Sequence, residues 1–349
     1  MEMTSRERVL TTFAHAEPDL VPAWCGASPE FWESAKRTLG LSDDEALRVR
    51  LGDDFRRVFA VYAGPEVELS EGATSRTPFG IERQGIGYGQ PTGHPLAGAS
   101  VRDVHDYPWP DPAWMDVSGI RAEAEAWGGR YAVLGGDWSP FWHDAVDLVG
   151  MENLYFAMYD TPEVVDALMQ HMVDYYAEVS RRTFEAAGGA IDIFFIGNDL
   201  GSQMGPLLSV PLFERFVLPH LARLVDLGHG YGLKVMLHCC GGFAPLIPSL
   251  IGAGLDAVHA VQPSCVGMDL ATLKADFGDR LVFNGCIDSH HVLIDGTPET
   301  VREATRDVLA IMMPGGGFIA GASHDWILPE TPVENVVAMF DAVREFGRY

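Results

Sequence analysis

Short apolar runs recur along this chain, each closed by a polar or glycine-bearing loop and followed by a longer stretch with helical spacing. Residues 21–25, 55–62, 131–136, 191–196, 234–240, 257–261, 281–287 and 318–322 read as eight strands. Residues 151–158, 162–187, 210–229, 243–253, 270–277 and 297–312 read as helices between the later strands. Strands that are apolar on both faces and alternate with helices belong to parallel sheets, because the crossover helices cover both faces. Eight such units predict a (β/α)8 TIM barrel, with residues 1–349 forming a single domain.

Residues 64–119 interrupt this rhythm. They are rich in glycine, proline and aromatics and end near Tyr107-Pro108-Trp109-Pro110-Asp111-Pro112. The expectation is an N-terminal excursion between early strands, with a short hairpin around residues 79–88 and a proline-rich connector. The Gly85-x-Gly87-x-Gly89 run neither follows a strong strand nor opens a helix, so it reads as turn chemistry rather than a nucleotide loop. Gly315-Gly316-Gly317 reads as a helix-to-strand turn. Near the start, Thr4 or Ser5 is suited to cap a first helix, and no apolar signal segment precedes it.

Charge and cysteine usage narrow the partners. With 24 basic and 49 acidic side chains the formal charge is −25, which argues against nucleic acid and anionic membrane surfaces and leaves small substrates and cofactors open. The apolar stretch 232–261 is broken by Lys234, glycines and two prolines, so no membrane span is expected. Five cysteines, two of them adjacent, make a poor secreted framework and favour free thiols in a reducing cytoplasm.

Active sites of such barrels lie at the C-terminal ends of the strands, and polar residues gather there. The fifth strand ends in His238-Cys239-Cys240-Gly241. Alternation puts Met236, His238 and Cys240 on one face and Leu237 and Cys239 on the other. An imidazole and a thiolate presented together suit zinc, which in catalytic sites takes three protein ligands and keeps one position open. His324, after the eighth strand, or Cys286, at the end of the seventh, would complete the set. Without a metal, Cys240 would be a small core residue and His238 a hydrogen-bonded one.

Asp199 and Gln203, after the fourth strand, are candidates for orienting a substrate or a ligand histidine, with helix capping as the alternative. Asp288 shares the strand face of Cys286 and joins them. Trp138, Phe141, Trp142 and His143 read either as an aromatic wall or as core, and His290 and His291 either as ligands or as part of a solvated loop. The chain has no G-x-S-x-G, P-loop or H-E-x-x-H motif, which weakens serine hydrolase, kinase and zincin readings.

In their order along the chain these residues resemble the uroporphyrinogen decarboxylase superfamily, and within it the corrinoid methyltransferase-like branch. The resemblance rests on Ser5-Arg6-Glu7-Arg8-Val9 leading to Glu17-Pro18-Asp19-Leu20-Val21-Pro22, and on His94-Pro95-Leu96 leading to the proline-rich connector. It continues through Gly150-Met151-Glu152-Asn153, Asp199-Leu200-Gly201-Ser202-Gln203 with Gly205-Pro206, and His238-Cys239-Cys240-Gly241. Gln262-Pro263, Gly285-Cys286-Ile287-Asp288, Pro314-Gly315-Gly316-Gly317 and Thr331-Pro332-Val333-Glu334-Asn335 complete it.

The resemblance implies a TIM barrel carrying zinc on His-x-Cys after the fifth strand and on a cysteine after the eighth. The first two positions match His238 and Cys240; at the third this chain offers His324 instead. A His/Cys/His set would make the metal a stronger Lewis acid than two thiolates would. The implied activity is methyl transfer between a small-molecule donor or acceptor and a corrinoid supplied by a separate partner protein. A metal-free lyase or decarboxylase on the same barrel and a non-catalytic ligand-binding relative are the alternatives. Decarboxylases of the family hold substrate carboxylates with an arginine-rich segment near the first strand, where this chain has Trp24-Cys25-Gly26-Ala27-Ser28.

Overall fold

The computed structural model describes residues 2–85 and 89–349. Seven parallel strands follow one another across a single sheet. They are β1 (Phe55–Arg57), β2 (Ala132–Gly135), β3 (Ile193–Gly197), β4 (Lys234–His238), β5 (Ala257–Val261), β6 (Val282–Ile287) and β7 (Phe318–Ala322). The eighth position is filled by the expected first strand, residues 21–25, without a regular ladder. The Trp24 N–H donates to the Ala320 carbonyl (2.9 Å) and the Ala320 N–H to that of Pro22 (2.8 Å). On the other side the Asp54 N–H donates to the Ala23 carbonyl (3.0 Å). Pro22 has no N–H to give, and the Ala23 N–H goes to the Asp54 carboxylate (2.8 Å) rather than to a strand carbonyl. The segment therefore bridges both sheet edges and closes a TIM-barrel-like fold.

Alternation along the strands divides the apolar residues into two layers. Ile193 and Phe195 of β3, with Met236 of β4, Val282 and Ile319, fill the barrel interior. Phe194, Ile196, Val235, Leu237 and Cys239 pack outward among the helices. The helix Ser5–Phe13, capped by Thr4 in a capping box with Glu7, adds Val9 and Phe13 to the interior. Its Arg8 pairs with Asp54 (2.8 Å) and Asp19 (2.9 Å), tying the helix to the closing seam.

The helices Pro162–Ala187 and Leu270–Phe277 form over the expected residues. Other elements are divided by proline or shortened. The stretch 210–229 forms two helices, Val210–Phe216 and Leu218–Gly230, because Pro219 is tolerated in a first turn but not in an interior. The stretch 243–253 becomes a 3-10 turn, Ala244–Leu246, followed by Ile247–Gly252, with a proline in the first turn of each. The expected strand 55–62 stops at Arg57; Val61–Tyr62 instead pairs antiparallel with Met115–Asp116 and belongs to the excursion.

The excursion holds a three-stranded antiparallel patch, Ser75–Arg76, Glu82–Gln84 and Gln90–Pro91. Gly87 of the glycine run and Tyr88 of the expected hairpin lie outside the described residues. Arg83 anchors the patch to Asp147 (2.5 Å) and Asp144 (3.3 Å). Phe79 adds edge-on contacts with Tyr175 and Tyr176 of the long helix (5.1 and 5.5 Å between ring centroids). Among the described residues, no helix is long and apolar enough to cross a membrane.

Candidate metal centre

The strand phase of β4 delivers His238 to the C-terminal mouth of the barrel, 4% exposed, with Cys240 immediately beyond it. His238 Nε2 lies 3.3 Å from Cys240 Sγ and 3.3 Å from Asp199 Oδ1. Ligand atoms of Asp199, His238 and Cys240 all fall within 4.8 Å of one another. Oxygen, nitrogen and sulfur donors at such spacing match what zinc accepts, and three protein donors leave a position for a substrate. The donor set therefore fits the implied metal.

Asp199 is held from two sides. Its Oδ1 accepts the Cys240 N–H (2.7 Å), and its Oδ2 lies 3.3 Å from His143 Nε2. Burial pushes its carboxyl up, but hydrogen bonds from His143 and His238 outweigh burial and hold it well below the usual carboxylate range. Cys240 moves the other way, its thiol raised by burial and then by the Asp199 charge. Without a cation the thiol keeps its proton, and a metal ion would supply the charge that releases it.

Glycines shape the mouth. A Cβ on Gly197, the last residue of β3, would collide with the Trp138 indole, which crosses this strand end and lies 5.3 Å from the His238 ring. Gly241 has φ +84° and faces the Gly201 backbone too closely for any side chain. Asn198, fully buried, accepts the Trp142 N–H (2.9 Å) and donates to the Ser139 carbonyl (3.1 Å), fixing the loop that carries Trp138.

The other expected residues are distributed differently. His324 enters neither metal-competent group found among the described residues; its Nδ1 sits against the Trp326 backbone, 2.9 Å from the carbonyl oxygen. Ala320 and Ala322 lie in the outer layer and Ile319 in the interior, so the strand phase sets Asp325 on the inner face, and Asp325 rather than His324 joins His238 in a group. Cys286 is fully buried in the outer apolar layer. Alternation fails there because Gly285 and Cys286 both have positive φ, +111° and +75°. Gln203 lies exposed on a hairpin, and Asp288 caps the following turn by accepting the His290 and His291 N–H groups (2.9 and 2.7 Å). His290 and His291 are exposed, as a solvated loop requires. Phe141 and Trp142 belong to the core, whereas Trp138 and His143 face the site.

A second group lies beneath the first: His238, His259 and Asp325, all buried, with ligand atoms within 4.8 Å. His259 Nδ1 is 3.0 Å from His238 Nδ1. Burial, then the charges of His238 and Arg57, lowers the proton affinity of His259 well below the ordinary value. The Arg57 guanidinium lies over Trp24 (4.5 Å) and Phe195 (4.7 Å), with Nη2 3.6 Å from Asp325 Oδ1. Strand phase carried a signal for both missed residues. His259 shares a strand face with Ala257, and Arg57 with Phe55, and both of those partners are interior.

Comparison with known proteins follows this geometry. The uroporphyrinogen decarboxylase (URO-D) family model matches residues 85–346. A uroporphyrinogen decarboxylase from Dichelobacter nodosus is 26% identical over 239 residues, covering 65% of this chain and 63% of the relative. One from Syntrophotalea carbinolica is 27% identical over 226 residues. The chain thus spans less than two thirds of these relatives, 63% and 60% of their lengths. A methylated-thiol–coenzyme M methyltransferase from Methanosarcina mazei is 24% identical over 296 residues, covering 81% of this chain and 75% of the relative. The solved structure of a methyltransferase from Methanosarcina mazei superposes with a TM-score of 0.67 at 22% identity, covering 99% of both chains, which supports the barrel fold. With the family model matching from residue 85 to residue 346, well over half of the 349 residues, the chain belongs to the uroporphyrinogen decarboxylase family.

Proposed function

We propose that this protein is a zinc-dependent methyltransferase that moves a methyl group between a small-molecule donor or acceptor and a corrinoid carried by a separate protein. The observation that carries the reading is the convergence of Asp199, His238 and Cys240 within 4.8 Å at the barrel mouth. The methylated-thiol methyltransferase relative supports a heteroatom as the methyl-bearing atom. Zinc held by these residues would act as a Lewis acid toward that heteroatom, stabilising a thiolate or polarising an ether oxygen. Asp199 takes the place expected of His324, because its carboxylate already touches His238 and the Cys240 backbone.

The chain's own groups define the rest of the site. Asp199 holds the His238 ring and the Cys240 N–H in one orientation, and His143 steadies its second oxygen. Trp138 and Phe195, 4.9 Å apart between ring centroids, form an apolar wall that keeps bulk water from the reacting heteroatom. In this proposal the corrinoid is carried by a separate partner protein. Cytoplasmic residence belongs to the same proposal, supported by five free cysteines.

The test is metal content followed by spectroscopy. One zinc per chain is expected, lost in His238→Ala, Cys240→Ser and Asp199→Asn. Mixing with methylcobalamin and a panel of thiols, or with reduced cobalamin and methyl thioethers or methoxy compounds, should change the corrinoid spectrum. Metal-free protein with all its thiols titratable and no spectral change would overturn the proposal. A metal-free lyase would then be favoured by Arg57, a cation held between Trp24 and Phe195 where a substrate carboxylate could approach.

A further inference from the structure

The second buried group poses a question that the metal centre alone does not answer. His238 Nδ1 and His259 Nδ1 face each other at 3.0 Å, so one hydrogen lies between them and only one ring can donate it. If His259 donates, His238 must carry its own proton on Nε2, the atom facing Asp199 and Cys240, and that lone pair is lost to a metal. If His238 donates, Nε2 can be left bare for a metal, pointing at the other two ligands.

A metal at this site selects the second arrangement, because Nε2 is the His238 nitrogen that lies 3.3 Å from both Cys240 Sγ and Asp199 Oδ1; the His259 hydrogen then sits on its Nε2, which is buried without a hydrogen-bond partner among the described residues. His259 is fully buried and its ring is packed against Trp24 (4.7 Å between centroids) and Phe195 (5.4 Å). Its position is also fixed by the backbone, since the Cys239 N–H donates to the His259 carbonyl and the two histidines are register partners in β4 and β5. Asp325 Oδ1 lies 4.0 Å from His259 Nδ1, beyond hydrogen-bond reach, so His238 is the only partner within bonding distance of that nitrogen among the described residues. The nearby Arg57 guanidinium, 3.6 Å from Asp325, opposes a second positive charge on the ring. A cation placed between the two Nδ1 atoms would meet the same opposition.

We infer that His259 is a positioning residue for the metal centre: its Nδ1, 3.0 Å from that of His238, accepts the His238 Nδ1–H and so commits Nε2 of His238 to the metal. Metal-bound histidines commonly donate their other N–H to a carboxylate, carbonyl or water. Here a buried imidazole takes that part. The inference rests on the proposed zinc reading, and the experiment separates the two.

Zinc affinity is measured by competition with a chromogenic chelator for the full-length protein and for His259→Leu, His259→Gln and His259→Asn. Histidine-selective 15N NMR is recorded on the zinc-loaded wild type. Loss of the acceptor in His259→Leu should weaken zinc binding by about 10–100-fold, the usual cost of removing an outer partner. His259→Gln or His259→Asn, whose side-chain carbonyl can accept the same hydrogen, should recover most of it. The NMR spectrum should show His238 protonated at Nδ1 and metallated at Nε2.

Wild-type protein that binds no zinc would defeat the metal reading, and this inference with it. Wild-type protein that binds zinc while His259→Leu binds it equally well would defeat the inference alone. So would metallation of His238 through Nδ1, or two zinc ions per chain with the second lost on changing His259. If His259→Leu fails to fold, the wild-type spectrum still decides.

Discussion

The adjacent thiols Cys239 and Cys240 offer a sharp test, because strand phase gives them different surroundings. Cys239 is fully buried in the helical layer, where its sulfur accepts the Leu200 N–H at 3.3 Å. Cys240 is only partly buried and faces His238. Cys239→Ser places a hydroxyl among apolar groups, at a cost of about 1–3 kcal/mol by the measure of comparable substitutions. One kcal/mol moves the melting temperature of a domain of 150–250 residues by about 2–4 °C, and a chain of this length by rather less, so a fall of about 1–4 °C is expected. Zinc affinity should be unchanged. Cys240→Ser should leave the metal-free melting temperature within about 1 °C, since the site is partly open and the hydroxyl can be solvated. Its zinc affinity should fall by more than the roughly 100-fold upper cost of losing an outer partner, because a direct ligand is gone. Differential scanning fluorimetry with chelated and zinc-loaded protein reads both quantities. Equal zinc loss in the two variants, or loss in Cys239→Ser alone, would refute the phase argument.

Three further outcomes are expected. Gly197→Ala should displace Trp138 from the strand end, destabilise the fold by about 1–3 kcal/mol and shift the tryptophan emission on zinc binding; unchanged emission and stability would contradict the packing. Arg8→Ala leaves the Asp54 carboxylate buried without its ion pair and should cost about 3–5 kcal/mol, part of it recovered in the Arg8→Ala/Asp54→Asn double variant, as read by chemical denaturation.

Asp144, beneath the excursion, is raised to about 6 by burial, against the hydrogen bond from Tyr176 and the charge of Arg83. A carboxyl with a raised folded pKa contributes stability that is complete below its unfolded value near 3.8 and lost as pH rises through about 6. Between pH 5 and 8 the wild type should therefore lose about 1.4 kcal/mol relative to Asp144→Asn, the rest of the roughly 3 kcal/mol falling between about pH 3 and 5. Parallel denaturation curves for the two proteins across that range would rule this out.

The barrel was legible because its strands are apolar on both faces, a pattern that only a covered parallel sheet explains. The expected strand 257–261 matches β5 residue for residue. The pairing of His238 with Cys240 was equally legible, since alternation holds through β4. Alternation could not foresee Gly285 and Cys286, where positive φ turns the cysteine into the outer layer, but in the last strand it carried a signal, since Ile319 is interior and Ala320 and Ala322 are not, which sets Asp325 rather than His324 on the inner face. Asp199 was singled out for orientation, yet its contact with Cys240 depends on the packing of two loops from different strands. Such a contact leaves no periodic trace. Proline positions divided the helix expected at 210–229, a signal present in the sequence but outweighed there by the apolar spacing.

The seam at residues 21–25 has a consequence for how the protein is made. Its first anchor, Asp54, leaves the ribosome soon after it, but its second, Ala320, follows only after the six intervening strands. Domains begin to fold as they emerge, so the nascent sheet waits with one edge open while most of the chain is translated. Trp24, which walls the site beside His259, rides on that unfinished edge, and Asp325 arrives with the segment that seals it. A half-made chain therefore presents β4 and its ligands without their enclosure, and a prematurely terminated one would carry an open flank suited to joining another strand rather than a working centre.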